Sequence, residues 1–322
     1  MRGSYVGRRV ASAAVTIALI VLVNFILFRA MPGSPDRVLS RSPNVTAELK
    51  AAVRERWGFD KPLVPDQFVR YVAATVQGNL GYTFRGRPVV DVLAQRIWPT
   101  VLLFGLGEAI AIVIGLALGA YSGWRRGGPI DYLGNGLSLI LYSTPYFLLG
   151  MVLLLVFASG LGWFPTFGMV TVGAAHPGPL EWFSDVLAHL ALPLATVSLG
   201  LIGQYAIVMR SSVIDTLSED YVTTAKAMGI DEGRILRHHA MPNAMLPTVT
   251  LIAINLGYVV AGAVTVEVVF NWPGLGTLTV EALSQRDYGI LQGVFLLLSV
   301  AVVLANLAAD LVYGLLDPRV RT

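Results

Sequence analysis

The sequence predicts an all-α integral membrane protein: six transmembrane helices, both termini cytoplasmic, and a helical extracytoplasmic insertion after the first. Three observations carry this. Only 13% of the 322 residues are charged, where a soluble domain carries about a quarter. Hydrophobic residues make up 55% of the chain, and the mean hydropathy is +0.67. Apolar runs of about 20 residues, long enough for a helix to cross the hydrocarbon core, recur along the chain. They are continuous and rich in Leu, Ala and Val, unlike the alternating segments of a membrane barrel.

The runs fall at 9–30, 99–122, 132–158, 189–210, 245–269 and 290–316. The first follows Arg8 and Arg9, exceeds a leader's apolar stretch, and precedes "FRAMPGSPD", which holds no Ala-x-Ala site. It therefore reads as a retained signal-anchor helix, residues 1–30, rather than a cleaved leader. Residues 31–98 form the extracytoplasmic insertion. "TAELKAAVRERWG" predicts a helix from Thr46 that stops before Gly58, with Leu49, Val53 and Trp57 on one face. "PDQFVRYVAATVQG" predicts a second, with Phe68, Val72 and Val76 on one side. The triplet "NVT" at 44–46 matches a glycosylation acceptor, a pattern frequent by chance. Residues 99–322 form a five-helix core that includes a polar loop, 211–244. Trp98, Trp124 and Trp163 fall at span ends, as interfacial anchors do.

Basic residues set the orientation. Arg2, Arg8, Arg9, Arg125, Arg126, Arg210, Lys226, Arg234, Arg237, Arg319 and Arg321 all fall on one side, against Arg286 alone in the short loops of the other. That asymmetry places both termini and loop 211–244 in the cytoplasm. Cysteine is absent, which excludes disulfides and thiolate metal sites. The net charge of +3 gives no reason to expect nucleic acid.

"DYVTTAKAMGIDEGRILRHH", residues 220–239, is the most polar part of the core. Residues 219–228 suit a helix with Tyr221, Ala225 and Met228 on one face, and Gly229 breaks it. Asp231 suits an N-cap and Glu232 the first turn of a second helix. Ile235, Leu236, His239 and Ala240 make its less polar face, and Pro242 is expected to close it. Ala225, Ala227 and Gly229 cluster at the bend, where small side chains let a partner approach the backbone. The pattern alone fits equally an amphipathic loop resting on headgroups.

Polar residues within the spans are functional candidates by default. They are Glu108, Asn255, Glu267, Asn306 and Asp310. Asn306 and Asp310, near the cytoplasmic end of the sixth span, read as structural, with Arg319 or Arg210 as partner for Asp310. Glu267 suits either structure or the mouth of a substrate path. Glu108 is the deepest carboxylate and receives no role from pattern alone. Gly105, Gly107, Gly115, Gly119, Gly257 and Gly262 permit close helix packing. The four His residues are scattered with no HExxH or facial-triad spacing, and no Ser/His/Asp arrangement can be drawn, so neither a metal nor a catalytic site is expected.

Several stretches together resemble one family. "YVTTAKAMG…RHHAMPNAMLP" is similar to the cytoplasmic Glu-Ala-Ala loop of bacterial ABC importer permeases, in its peptide-transporter form, with Thr223 and Thr224 standing where the family has Glu and the first Ala, and Ala225 and Gly229 matching. "MPGSPD", "GNLGYTFRGRPVVDVLAQRIWPT", "STPYFLLG", "LGWFPTFG", "VEVVFNWPGLGTL", "RDYGILQG" and "NLAADLVYGLLDPRVR" are similar to further stretches of the first permease subunit of dipeptide and oligopeptide importers. The resemblance is collinear and nearly full length. It implies a permease subunit in a bacterial cytoplasmic (inner) membrane. The implied partners are a homologous second permease, two ATPase subunits or domains, an extracytoplasmic solute-binding protein and a peptide substrate. Residues Tyr221, Thr223, Thr224, Ala225, Ala227, Gly229, Asp231 and Glu232 would couple to the ATPase. ATP and Mg would bind in that partner. The only lysines here, Lys50, Lys61 and Lys226, are not followed by Ser or Thr, so this chain holds no phosphate-binding P-loop. The family also carries nickel chelates and glutathione. The competing readings are a secondary transporter, for which no convincing internal repeat is seen, and a membrane enzyme.

Overall fold

A computed structural model describes residues 3–30, 46–48, 51, 63–175, 178–259 and 264–316. Most of the expected helix 46–57, the segment "MPGSPD", Lys50, Lys61, His176, Gly262 and the terminal Arg2, Arg319 and Arg321 lie outside those residues. No strand forms among the described residues; Tyr82 and Pro88 make an isolated antiparallel bridge. Among the described residues five helices are long and apolar enough to span a membrane, or six if one bent helix pair counts as a span.

The helices are α1 (Gly3–Ala30), α2 (Phe68–Val76), α3 (Val89–Trp124), α4 (Pro129–Ser143), α5 (Tyr146–Leu153), α6 (Pro179–Leu217), α7 (Asp220–Ala227), α8 (Glu232–Ile235), α9 (Met241–Tyr258), α10 (Val264–Val269), α11 (Leu275–Gln285) and α12 (Tyr288–Leu316). They divide into two compact units. One comprises Met1–Thr100, Val260–Val264 and Pro273–Thr322; the other comprises Val101–Val259 and Thr265–Trp272.

In the first unit α1 packs along α12. Phe28 is buried with Ala282 and Leu291, and its ring lies 6.0 Å from that of Phe295. α2 rests on α1 through Phe25, whose ring centroid is 5.3 Å from Phe68 and 5.5 Å from Tyr71. The inner face of α2 is thus Phe68, Tyr71 and Val72. Val76, expected on that face, is 82% exposed at the last residue of the helix, and Ala74 packs against the cluster. A second cluster joins Val89 and Leu93 of α3 to Leu275 and Leu278 of α11 and Val294 of α12. The turn before α3 is pinned by Asp287, whose carboxylate accepts the Phe84 N–H at 2.9 Å and the Ile290 N–H at 3.2 Å. Asp287 thereby caps the start of α12 and fixes a neighbouring loop. Its burial pushes the carboxyl pKa above the ordinary aspartate value, against the lowering effect of those N–H groups.

In the second unit α6 is the central helix. α3 meets it along a row of small residues. A Cβ added at Gly107 would lie 3.1 Å from the Val197 Cβ; at Gly115, 3.1 Å from the Ile202 carbonyl; at Gly119, 2.8 Å from the Met209 Cβ; at Gly123, 2.9 Å from the Arg210 carbonyl. Glycine is needed at Gly115, Gly119 and Gly123 because they meet α6 backbone, and at Gly107 because the Val197 side chain fills the space. On its other side, α6 presents Gly200 to the Tyr146 ring and Gly203 to the backbone of α4, where an added Cβ would sit 2.8 Å from the Tyr142 nitrogen.

Three expectations about the spans are corrected. The third is not one straight helix over 132–158: α4 and α5 meet at 105°. Thr144 (ψ 124°) and Pro145 (ψ 136°) are extended at the break, because a proline excludes α conformation from the residue before it. The fifth does not run unbroken to 269: α9 ends at Tyr258, and Val264–Val269 is a separate short helix. Pro242 does not close the preceding helix. It sits in the first turn of α9, where a missing N–H is tolerated, behind a π turn over Leu236–Ala240.

Candidate functional site

The polar stretch 220–239 folds as two short helices about a glycine elbow. α7 starts after Glu219, which is extended (φ −70°, ψ 148°) and has no side-chain cap bond. It ends at Met228, and Gly229 follows with φ +76°, a left-handed conformation that costs a side-chain-bearing residue about 1–2 kcal/mol. Asp231 then caps α8, its carboxylate accepting the Gly233 N–H at 3.0 Å and the Arg234 N–H at 3.2 Å, as the sequence predicts. The two arms close on a small core of their own: Val222, Ala225 and Ile235 are buried together, with Leu217 and Ile230 packed against them.

That core sorts the eight coupling candidates. Ala225 is 2% exposed and faces inward, so it supports the elbow and offers no surface to a partner. Tyr221, Thr223, Thr224, Ala227, Gly229, Asp231 and Glu232 are exposed. Of the three residues expected on one face, Ala225 is buried beside Val222, whereas Tyr221 and Met228 are 42% and 68% exposed. Sequence reasoning missed Met228 as a surface feature. It is 68% exposed at the tip, beside the left-handed glycine. The Tyr221 hydroxyl, at the surface, accepts from Asn243 Nδ2 at 2.8 Å and donates to the His239 carbonyl at 3.2 Å.

Just above the elbow, Arg210 of α6 makes a two-pronged ion pair with Asp131 of α4. Nε reaches Oδ1 at 2.5 Å and Nη2 reaches Oδ2 at 3.0 Å. The Gly127 N–H adds a third bond to Oδ2 at 2.9 Å. Asp131 is only 2% exposed, so the pair fixes the base of α4 to α6. Arg210 is therefore not the partner of Asp310. That role falls to Arg9 of α1, at 3.0 Å, since α1 lies beside α12.

The remaining span residues separate clearly. Glu108, Tyr205 and Asn255 form one network: the Tyr205 hydroxyl donates to Glu108, and Asn255 Nδ2 reaches the Tyr205 oxygen at 3.0 Å and Gln204 Oε1 at 3.2 Å. Three helices, α3, α6 and α9, are joined through it. Glu267 is fully buried, so within this chain it does not line an open mouth. Asn306 is exposed on α12. Among the described residues no three His, Asp or Glu side chains gather as metal ligands.

Comparison with known proteins gives a consistent set of matches. The family model described as binding-protein-dependent transport system inner membrane component matches residues 111–322, and the corresponding N-terminal model matches residues 3–88. A probable peptide ABC transporter permease of Sinorhizobium fredii is 39% identical over 320 residues, covering 99% of each chain. A putative peptide permease of Brucella suis is 40% identical, covering 95% of this chain and 94% of the relative. The glutathione transport system permease GsiC of Salmonella paratyphi A is 36% identical, covering 99% of each. Among solved structures, the MetNI methionine ABC transporter in an inward-facing conformation aligns with a TM-score of 0.55 at 18% identity, over 70% of this chain and 96% of that one.

Proposed function

The chain belongs to the inner membrane components of binding-protein-dependent transport systems, the permease subunits of ABC importers of the peptide type, and on that premise we propose that it forms half of a peptide translocation path and takes its drive from separate ATPase subunits through the elbow 220–240. The observation that carries this reading is the elbow's construction. It has its own buried core, so it can transmit a push as a body, and its outer surface is polar apart from Met228, Ala227 and the ring of Tyr221. We assign the ATPase contact to Thr223, Thr224, Lys226, Ala227, Met228, Gly229, Asp231 and Glu232, with the Met228 side chain entering an apolar recess of the partner. Ala225 holds the elbow from within, and Tyr221, on the surface, ties its first arm to Asn243 and the His239 carbonyl. ATP and Mg bind in the ATPase subunits. A homologous permease supplies the other half of the path, and a solute-binding protein delivers the peptide from outside. The basic-residue asymmetry supports elbow and termini on the cytoplasmic side of the inner membrane.

Glutathione is itself a short peptide, and relatives that carry it match over nearly their whole length. Competition between glutathione and di- to pentapeptides for uptake separates the two substrate readings. The function is tested by purifying the chain with its neighbouring subunits and measuring peptide uptake into proteoliposomes. Uptake should require ATP and the ATPase subunits. A chain that purifies alone and transports peptide without ATP refutes the proposal.

A further inference from the structure

The elbow meets the membrane helices at two junctions of unlike construction. At α6 the contact is apolar: Leu217 packs against the elbow's core, the Ser218 hydroxyl donates back to the Asp215 carbonyl at 2.7 Å, and after the extended Glu219 no side chain caps the start of α7. At α9 there is a closed triangle. Asn243 Nδ2, in the first turn of α9, donates to the Tyr221 hydroxyl at 2.8 Å and to the His239 carbonyl at 3.2 Å, and the Tyr221 hydroxyl donates to the same carbonyl at 3.2 Å. Tyr221 lies in the first turn of α7, so the triangle ties the far arm of the elbow directly to the base of α9. A tyrosine hydroxyl has one donor and two acceptor sites, and both kinds of site are used here.

We infer that Tyr221 and Asn243 are positioning residues that make the elbow one rigid body with α9, and that the hinge permitting it to move lies at Ser218–Glu219. This rests on the elbow being the ATPase contact. Force arriving at the elbow then turns α9 against the face of α6 on which it packs, at Met209 and Val213. α9 carries Asn255, which reaches Gln204 and Tyr205 of α6, so rotation of α9 acts on that network.

The test uses the assembled transporter in proteoliposomes, with three readouts: retention of ATPase subunits in a pull-down, ATP hydrolysis, and peptide uptake per ATP. Loss of a hydrogen bond of this kind changes an equilibrium by about fivefold. Tyr221→Phe should therefore retain the ATPase and hydrolyse ATP, yet lower uptake per ATP about fivefold. The natural chain has no Cys, so a Tyr221→Cys/Asn243→Cys pair can be bridged with a short bismaleimide. The unbridged pair should be uncoupled and bridging should restore uptake, a rescue that a generally weakened fold would not show. Bridging that blocks uptake overturns the inference, as does a normal uptake ratio in Tyr221→Phe. Loss of ATPase retention in Tyr221→Phe also overturns it, by moving Tyr221 to the contact surface. Failure of the natural chain to retain any ATPase refutes the underlying coupling reading, and is read before any variant is made.

Discussion

Replacing Gly119 by Ala tests the α3–α6 crossing directly. The new methyl would lie 2.8 Å from the Met209 Cβ and 3.0 Å from the Ala206 Cα, and closest of all to the Ala206 carbonyl oxygen. Ordinary van der Waals contact begins at about 3.4 Å, and two of these three neighbours are backbone atoms that cannot rotate away. Overpacking of this kind costs roughly 1–3 kcal/mol, and the backbone neighbours place Gly119 in the upper half of that range. Alanine returns about 1 kcal/mol through better helix propensity. The net loss is about 1–2 kcal/mol. Gly136 on α4 is the control, since an added Cβ there meets nothing within 4 Å. Gly136→Ala should gain roughly 0.5–1 kcal/mol, so one chemical change has opposite signs at the two positions. The assay is SDS unfolding in mixed micelles followed by far-ultraviolet circular dichroism. A Gly119→Ala midpoint equal to or above that of Gly136→Ala would refute the argument.

Other predictions follow from the same geometry. Arg210→Met leaves the Asp131 carboxylate buried without its cation and should cost about 2–3 kcal/mol, below the usual range for a buried pair because Arg210 is partly exposed; the double variant with Asp131→Asn should recover most of it in the same unfolding assay. Gly229→Trp should add backbone strain and bulk at the tip, and abolish ATP-dependent uptake while leaving membrane insertion intact, as judged by fractionation. For Asp287, whose folded-state pKa is raised, the folded protein keeps a proton that the unfolded chain releases from about pH 4 upward. Its contribution to stability is thus fully present below that pH and falls as pH rises through the folded pKa; relative to Asp287→Asn, the natural protein should lose stability with rising pH, and a gain of stability by the natural protein over the variant as pH rises contradicts the assignment. A single Cys at position 233 should be labelled by impermeant maleimide only from the cytoplasmic side, and labelling of intact cells from outside would invert the proposed orientation.

Much of the fold was legible because a bilayer makes strong demands on composition. Long apolar runs mark helices wherever they occur, and the Asp231 cap was readable from a residue type and a spacing. The break at Thr144–Pro145 was also written in the sequence, as a proline inside an apolar run, but length alone favours one continuous span. The ending of α9 at Tyr258 left a weaker mark, since the small and β-branched residues that follow are as apolar as those before. What could not be read were pairings across distance. Arg9 and Asp310 lie 301 positions apart, and Glu108 and Tyr205 lie 97 apart. Charge complementarity admits several partners for each until the neighbouring helices are known. The elbow illustrates a finer limit: small residues near Gly229 suggest a contact surface, yet Ala225 is buried in the elbow's own core.

The two seams of α6 bear on how this half of the protein can deform. α3 is keyed to it at Gly107, Gly115, Gly119 and Gly123, and α4 and α5 at Gly203 and Gly200. Each key sets a height as well as a face, so sliding α6 by one residue would drive side chains into carbonyl groups on both sides at once. Gradual shear is closed to such a structure. The helices that share α6 must travel together as a block, and shape change is concentrated at the few places where the helical hydrogen bonding is already interrupted, such as Thr144–Pro145 and Ser218–Glu219.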